Sequence, residues 1–277
     1  MPSRRPAYGP SSHGARPAEA LTPLAPRTVR RVLFRQRWRD LVFLHWPADP
    51  FEVARLLPAG TVPDLHQGRA YVGLVFFRMD DLAFGRTPAL PYLGSFGEVN
   101  VRLYSRDALG RRGVVFRSLD CDRLLPVLTA RGAFGLPYRW SRIHSQWFDS
   151  RLLYRTGRRH GARAGARVWL DVTDEPVAAT PLEEFLTRRW GLHEWFLGRT
   201  YYLPNAHPAW SFRRCTLLGW QDDLVAAAGL SRPRGEPVSV LYAPGVPVLF
   251  GPPVPLAAPG GPAPGTGSGG PAPGTPG

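Results

Sequence analysis

Short apolar runs with the two-residue period of β-strands constrain the fold of this chain more than any other feature. In one run, Val99, Val101 and Leu103 alternate with Asn, Arg and Tyr, which is typical of a half-buried strand. The run Tyr71–Met79 is almost continuously apolar around Gly73, and this fits a strand that is buried on both faces or curved into a barrel. We therefore predict a β-rich α+β fold, a curved antiparallel sheet or barrel with a few short helices at its edges.

Two β-hairpins are predicted from pairs of such runs. The first joins the alternating run to Val114–Leu119 across the polar segment Ser105–Gly113. The second joins Trp147–Arg155 to Arg167–Val172 through the basic loop TGRRHGARAG. Each pair places two strands side by side in the predicted sheet.

Four short helices are predicted at turn and capping signals. They span Pro50–Leu57, Asp122–Ala133, Pro181–Trp190 and Asp222–Ala228. The third has the clearest start, because Thr180 is an N-cap residue, proline follows it, and Glu183 completes a capping box.

Large apolar residues are concentrated between about Val32 and Phe250, a stretch that holds all nine Trp. This predicts one domain over residues 30–252. The flanking segments 1–29 and 253–277 are rich in Pro, Gly, Ser and Ala, and have little apolar surface to offset the entropy of ordering. We predict that both are disordered tails, the first of them basic.

The chain has no lysine, so all 35 of its basic residues are Arg, against 21 acids. A guanidinium stays protonated and forms no Schiff base, which excludes imine catalysis by a side chain and a lysine-bearing P-loop. The net charge of +14 is concentrated: residues 1–37 carry eight Arg and one Glu, and residues 151–167 carry six Arg and no acid. Neither stretch interleaves aromatics with its arginines, so we expect no specific nucleic-acid binding, only weak, salt-sensitive attraction to polyanions.

Neither a signal-peptide core nor an apolar stretch of 18 residues is present, so we expect no export and no membrane insertion. The two cysteines, Cys121 and Cys215, are isolated, as expected of reduced thiols in a cytoplasmic protein. The seven His show no metal-ligand spacing and no dinucleotide-binding glycine pattern is present, so neither a metal nor a cofactor is expected.

Eight sequence blocks carry a family resemblance. They are WRDLVFLHWPADP (38–50), LLPAG (56–60), GRAYVGLVFFRM (68–79), FGEVNVRLY (96–104), VVFRSLD (114–120), ARGAFGLPYRWSRI (130–143), PLEEFLTRRWGLHEWFLGRTYY (181–202) and HPAW (207–210). In order and spacing they resemble the YqjF-like family, a bacterial domain of unknown function grouped with acetoacetate decarboxylase. The resemblance covers residues 33–250 and implies a cone-shaped, largely antiparallel β-barrel with an enclosed pocket. It implies no activity.

The comparison with the decarboxylase concerns one short segment. That enzyme carries its catalytic lysine in a Pro-Lys-Lys run, and in the matching frame Pro137 is followed here by Tyr138 and Arg139. The resemblance also places Glu98 where the decarboxylase keeps a pocket glutamate. The resemblance thus extends to the segment around Pro137 and to Glu98, but the lysine that imine chemistry requires is absent.

Five residues are candidates for a ligand site: Glu98, Arg102, Tyr138, Arg139 and His45. A buried Glu98 could act as an acid or base, or be paired with an Arg. Arg102 and Asn100 share its strand face, which could line a pocket or meet solvent. Tyr138 could donate to a ligand carbonyl and Arg139 could hold a carboxylate. Each could also have a structural role, and for His45 the structural alternative is packing beside Trp46.

Three functions remain open from the sequence. The first is a barrel that binds a small organic anion, without specific nucleic-acid or membrane partners and with a homo-oligomer left open. The second is a lyase- or isomerase-type enzyme acting on a carbonyl or carboxylate through Glu98, Tyr138 and Arg139 without an imine. The third is a scaffold or regulatory protein that acts through its Arg-rich segments.

Overall fold

The computed structural model describes residues 16–91, 94–123, 135–161 and 163–256. Within these residues the chain is mostly strand with three short helices. The strands are β1 (Phe34–Ala48), β2 (Thr61–Pro63), β3 (Ala70–Phe84), β4 (Phe96–Asp107), β5 (Arg112–Cys121), β6 (Tyr138–Phe148), β7 (Arg151–Arg158), β8 (Gly165–Val177), β9 (Gly191–Phe196), β10 (Arg199–Ala206), β11 (Phe212–Asp222), β12 (Ser239–Phe250) and β13 (Val254–Pro255). The helices are α1 (Pro50–Leu56), α2 (Pro181–Thr187) and α3 (Leu224–Ala227).

The described strands form a single sheet that closes on itself twice. Its order is β13-β10-β9-β5-β6-β7-β8-β11-β12-β1-β3-β4-β2, with additional pairings of β5 with β4 and of β10 with β12. The pairing of β4 with β5 closes a first circuit through β6, β7, β8, β11, β12, β1 and β3. The pairing of β10 with β12 closes a second circuit through β1, β3, β4, β5 and β9. Among the described strands, only the pairings of β5 with β6 and with β9 are parallel, so the predicted largely antiparallel, β-rich fold is confirmed.

The interior of the first circuit is a packed apolar core. Side chains of β1, β3 and β4 meet those of β7 and β8 there, and α1 and α3 contribute Val53, Leu224 and Val225. Tyr154 lies in this core and donates a hydrogen bond from its hydroxyl to the carbonyl oxygen of Asp40, at 3.0 Å.

Strand β4 lies between the two interiors. Val99 and Val101 belong to the packed core of the first circuit. Glu98, Asn100 and Arg102 line a cavity inside the second circuit, because successive residues of a strand point to opposite faces. The alternation in the sequence thus separates a core face from a cavity face.

Both predicted hairpins are present, with one boundary corrected. Strands β4 and β5 pair as predicted, and β7 pairs with β8 through the basic loop. The predicted strand Trp147–Arg155, however, crosses a tight turn at Asp149 and Ser150, where β6 ends and β7 begins. Asp149 has a φ of 51°, a left-handed conformation that Asp tolerates better than most residues.

The helices are shorter than predicted. In α2 the capping box of Thr180 and Glu183 is present, but the helix ends at Thr187 rather than Trp190. The predicted helix Asp222–Ala228 is reduced to α3, since the carboxylate of Asp222 accepts from the amides that begin it. Most of the predicted helix Asp122–Ala133 falls in 124–134, outside the described residues.

Residues 16–29, predicted as part of a disordered tail, lie along the domain. The amides of Arg16 and Glu19 donate to the carbonyl oxygens of Ala108 and Gly110. Arg27 binds the carboxylate of Glu19 and the hydroxyl of Tyr202. This segment is held by backbone and guanidinium hydrogen bonds and by Leu21, which packs against the buried cluster of Phe185 and Leu192. Composition could not predict these contacts. Residues 253–256, predicted as the start of the C-terminal tail, include β13, which pairs with β10. The rest of both predicted tails, 1–15 and 257–277, lies outside the described residues.

Candidate functional site

A cavity of about 210 Å³ lies inside the second circuit. Its walls are mainly apolar and aromatic and come from β1, β3, β4, β5, β9, β10 and β12. The aromatic walls include Trp38, Phe43, Phe77, Phe96, Phe116 and Trp210. The polar side chains on the lining are Gln36, Glu98, Asn100, Arg102, Tyr138, Thr187, Arg189, Asn205 and His207. Apolar walls with a few inward polar groups are typical of small-molecule sites.

One end of the polar lining is a hydrogen-bonded pair of Glu98 and Tyr138. The Tyr138 hydroxyl donates to Oε2 of Glu98 at 2.8 Å, and both side chains are buried. Burial raises the pKa of Glu98 to about 7, opposed by hydrogen bonds from Tyr138 and Asn100 and assisted by the Asp120 carboxylate. Burial and the neighbouring Glu98 raise the pKa of Tyr138 well above its ordinary value. The carboxyl can therefore exchange a proton near neutral pH, while the phenol keeps its proton.

Two guanidinium groups, Arg102 and Arg189, form the other polar part of the lining. Both lie near the ring of Tyr104, with the guanidinium carbons 5.7 and 4.9 Å from its centroid. Nε of Arg102 donates to the Tyr104 hydroxyl at 3.2 Å, and the same guanidinium lies 5.2 Å from the ring centroid of Phe43. Aromatic faces and the tyrosine oxygen thus orient Arg102 towards the cavity.

The two arginines differ in their acidic partners. Arg189 is buried and donates from Nη1 to Oδ2 of Asp64, which also accepts from Nη1 of Arg112. Arg102 has no ion-pair partner among the carboxylates of the described residues, in contrast to Arg189 and Arg112. Arg102 is therefore the cation of this cavity that an anionic ligand could neutralise.

Several polar atoms on the lining have no hydrogen-bond partner within the described part of the chain. They are Oδ1 of Asn100, Oδ1 of Asn205, Nε1 of Trp38 and Nε of Arg189. Buried polar atoms normally have partners. These donors and acceptors are accordingly available to a ligand or to water in the cavity.

Arg139 does not reach the cavity, contrary to the prediction from the decarboxylase frame. Tyr138 faces the cavity, whereas Arg139, the next residue of β6, is exposed and absent from the lining. Adjacent strand residues point to opposite faces, so these two residues could not both enter the cavity from a regular strand. The guanidinium groups on the cavity lining are those of Arg102 and Arg189.

His45 is buried beyond the cavity lining. Its Nδ1 lies 3.3 Å from Oγ of Ser239, and its ring packs near Phe43 and Tyr104, with centroids 6.4 and 6.1 Å apart. Burial, with smaller contributions from the two cavity arginines, lowers its pKa well below the ordinary value. His45 is therefore a packed side chain, but its neighbours are Phe43, Tyr104 and Ser239 rather than Trp46.

Sequence reasoning missed Arg189, Asn205, His207 and Trp210. His207 lies between Trp190 and Trp210, with ring centroids 4.5 Å from each, and burial lowers its pKa to about 4. Family resemblance alone signalled Arg189, through the block 181–202, and His207 and Trp210, through HPAW, and no quoted block contains Asn205. Their convergence depends on the pairing of β10 with β12, which no local pattern predicts.

A Ser–His–Asp chain also exists, but outside the cavity. Oγ of Ser105 lies 2.8 Å from Nδ1 of His193, whose Nε2 lies 3.4 Å from Oδ2 of Asp107. All three side chains are buried, none lines the cavity, and Asp107 also binds Arg111. The contacts of Ser105, His193 and Asp107 therefore link β4 to β9. Across the described ranges, no group of three His, Cys, Asp or Glu side chains is arranged to hold a metal ion, and no helix is long and apolar enough to cross a membrane.

The sequence of this chain is similar to those of known proteins. The sequence model of DUF2071, described as an uncharacterized conserved protein, matches residues 35–247. The uncharacterized protein YqjF of Bacillus subtilis (strain 168) is 29% identical over 222 residues, which are 79% of this chain and 91% of YqjF.

Two solved structures share the fold. Acetoacetate decarboxylase from Legionella pneumophila has a TM-score of 0.56 at 16% identity, over 84% of this chain and 92% of that one. An acetoacetate decarboxylase-like enzyme from Sphingomonas wittichii RW1 has a TM-score of 0.54 at 13% identity, over 84% and 96%. These likenesses identify an acetoacetate decarboxylase-like fold.

Proposed function

This chain belongs to the DUF2071 family of uncharacterized conserved proteins, and we propose that it binds a small organic anion in the cavity of its second circuit. Arg102 holds the negative group, and the aromatic walls contact the apolar part of the ligand. Since the chain has no lysine, the ligand forms no imine with a side chain.

The state of Arg102 carries this proposal. Its guanidinium lines an apolar cavity, is oriented by Tyr104 and Phe43, and has no carboxylate partner in the described residues. Arg102 is partly buried, and its hydrogen-bond acceptors among the described residues are neutral: the Tyr104 hydroxyl and the Leu186 carbonyl oxygen. Partial burial of a charge without an opposite charge has a free-energy cost, and a planar guanidinium binds a carboxylate through two parallel hydrogen bonds. A ligand carboxylate would offset that cost.

The remaining lining groups define the ligand further. Asn100 lies between Arg102 and Glu98 on the cavity face of β4, and two strand residues span about 7 Å. A ligand held by Arg102 therefore presents its next polar group, such as a carbonyl or hydroxyl, to Asn100 or to the Tyr138–Glu98 pair. We propose a monocarboxylate with an apolar body and one further polar group.

The experiment compares Arg102→Gln with Arg139→Gln. The parent is screened by thermal shift against acetate, pyruvate, acetoacetate, hexanoate and benzoate, and the tightest binder is titrated calorimetrically. We expect Arg102→Gln to weaken its binding at least 10-fold, because a charge-assisted hydrogen bond contributes about 1.5–3 kcal/mol.

Arg139→Gln is the matched control, since it removes the same charge from an exposed position outside the cavity. We expect this variant to bind the carboxylate within 2-fold of the parent. Equal binding by parent and Arg102→Gln, or an equal loss in both variants, would contradict the proposal.

An acid–base enzyme is the second candidate, favoured by the pair of Tyr138 and Glu98. A carboxyl with a pKa of about 7, hydrogen-bonded to a phenol that stays protonated, can take up a proton from a substrate carbon and return it. Arg102 would hold the substrate carboxylate. The reaction would be a proton abstraction next to a carbonyl, as in an isomerase or a lyase.

Solvent hydrogen exchange tests this candidate. Incubated in D₂O with the carboxylates that bind, the parent is expected to exchange the hydrogens next to the ligand carbonyl faster than buffer does, with a rate that rises around pH 7. Glu98→Gln should lower that rate at least 100-fold, in the range of general acid–base contributions. Binding without accelerated exchange in the parent would leave the binding function and reject the enzyme.

We further propose that the protein acts in the bacterial cytoplasm. Cys121 and Cys215 are both free thiols, which supports a reducing compartment. Neither cysteine lines the cavity, so neither is assigned a role in ligand binding.

A further inference from the structure

A second cleft lies on the outside of the sheet, where β6, β7 and the basic loop meet. Its volume is about 760 Å³. It is lined by Trp140, Arg142, Ile143, His144, Arg155, Thr156, Gly157, Arg158, Arg159 and His160, and we call it the basic cleft. It shares no residue with the cavity of the second circuit.

The charge of the basic cleft is uncompensated. Residues 138–167 contain eight Arg and a single acid, Asp149, which is not on the cleft lining. Arg158 is neutralised by the buried carboxylate of Asp120, at 2.9 Å. Arg142, Arg155 and Arg159 have no ion-pair partner in the described part of the molecule.

Some exposed arginines on other faces have such partners, whereas Arg86 and Arg199, for example, have none among the described residues. Arg39 pairs with Asp80 at 3.0 Å, and Arg232 pairs with Asp223 at 2.8 Å. What distinguishes Arg142, Arg155 and Arg159 is that all three line the same cleft. Repulsion among the three guanidinium groups raises the free energy of this arrangement, and a bound anion would lower it.

The cleft is also partly ordered in advance. The guanidinium of Arg159 lies 4.8 Å from the ring centroid of Trp140, and its amide donates to the Trp140 carbonyl oxygen at 3.1 Å. The ring of His160 packs against the same tryptophan, with centroids 5.3 Å apart. Arg155 lies on β7 directly opposite His144 of β6. Because it lies against the Trp140 ring, the Arg159 guanidinium loses less freedom when it binds an oxyanion.

We propose that the basic cleft binds the phosphate groups of a polyphosphorylated anion through Arg142, Arg155 and Arg159. Guanidinium groups match phosphate oxygens in a two-bond geometry. Three such cations across 760 Å³ suit several linked phosphates better than one carboxylate. The phosphates could belong to a free polyphosphate chain or to a single-stranded nucleic-acid backbone, and in either case the contacts carry no base sequence.

The test uses the full chain and a fluorescein-labelled 12-nucleotide oligouridylate, followed by anisotropy at 50 and 200 mM salt. Three phosphate contacts to a single strand predict a loss of about 20-fold in affinity over this range. In the variant Arg142→Gln/Arg155→Gln/Arg159→Gln we expect affinity at 50 mM salt to fall at least 10-fold and the salt dependence to become shallower. The control Arg86→Gln/Arg199→Gln/Arg234→Gln removes three exposed charges outside the cleft and should stay within 2-fold of the parent.

Competitors distinguish the sources of the phosphate. Displacement of the oligouridylate by inorganic tripolyphosphate at equal phosphate concentration supports a free polyphosphate, and displacement only at a large excess supports a strand. The proposal is overturned if the cleft variant binds like the parent, if the control variant loses as much, or if a polyglutamate of equal charge competes as well as tripolyphosphate. The single variant Arg155→Gln, expected to lose about a third of the salt dependence, replaces the triple variant if the latter unfolds.

Discussion

Replacing Asp64 with Asn is expected to lower the free energy of unfolding by about 3–5 kcal/mol, the cost of breaking a buried ion pair from one side. The Asp64 carboxylate accepts from both Arg112 and Arg189. The Arg189 side chain is only 3% exposed, and its other contacts are the Phe185 carbonyl oxygen and the rings of Tyr104 and Phe185. Without the negative charge, two guanidinium groups would remain together in a site that water scarcely reaches.

Urea unfolding followed by tryptophan fluorescence measures this loss without adding salt. The matched control is Asp171→Asn, because Asp171 pairs with Arg151 at 3.8 Å on the surface, where such pairs contribute about 0–1 kcal/mol. A loss in Asp64→Asn no larger than in the control would mean that Asp64 does not anchor the cavity arginines. The difference between the variants thus tests whether Arg189 is a structural cation, which leaves Arg102 as the cation for a ligand.

The sequence predicted which residues of β4 share a face, but not whether that face lines a cavity or meets solvent. Even-numbered Glu98, Asn100 and Arg102 had to share one face, since the strand period is two. Whether that face met solvent or a cavity depended on the second circuit, which closes where Asn205 and Ala206 of β10 pair with Phe250 and Leu249 of β12. The paired residues are far apart in the sequence, and no local pattern encodes their contact.

The decarboxylase frame was informative at Tyr138 and misleading at Arg139. The frame places a proline before β6, and Tyr138 then enters beside Leu119 of β5. Two consecutive positions cannot both point inward on a regular strand, so the cation had to come from elsewhere. It comes from β4 and from the segment after α2, where Arg189 follows the helix end that the sequence placed too late.

The sequence gives the number of basic residues in the segment 151–167, but not the positions of their side chains in the fold. The six arginines of 151–167 form one basic segment in the sequence, yet Arg158 turns inward to Asp120. Trp140, at the start of the preceding strand β6, supplies the aromatic surface that the segment itself lacks. Interleaving of aromatic and basic side chains is therefore produced by strand pairing, and a search along the sequence alone misses it.

Replacing Glu98 with Gln is expected to make the protein more stable at high pH, by an amount that depends on pH. Burial raises the pKa of Glu98 from its ordinary 4.5 to about 7. Between these values the unfolded chain has released the proton and the folded chain still holds it, so the stability of the parent falls as pH rises through this window. The full loss, reached above pH 7, is about 3 kcal/mol. The substituted glutamine does not titrate, so the advantage of the variant over the parent should grow by this amount between pH 4.5 and pH 8.

The measurement is the difference in unfolding free energy between parent and Glu98→Gln at several pH values, because all other titrating groups are common to both proteins and cancel. The variant Tyr138→Phe keeps Glu98 but changes its pKa, and so serves as a second comparison. The Tyr138 hydroxyl donates to the carboxylate and stabilises its charged form, so its removal should raise the pKa of Glu98 and move the loss of stability to higher pH. A difference between parent and Glu98→Gln that does not change with pH would show that Glu98 is not held in a desolvated cavity. That result would contradict both proposed functions, since both place Glu98 on the lining of the same cavity.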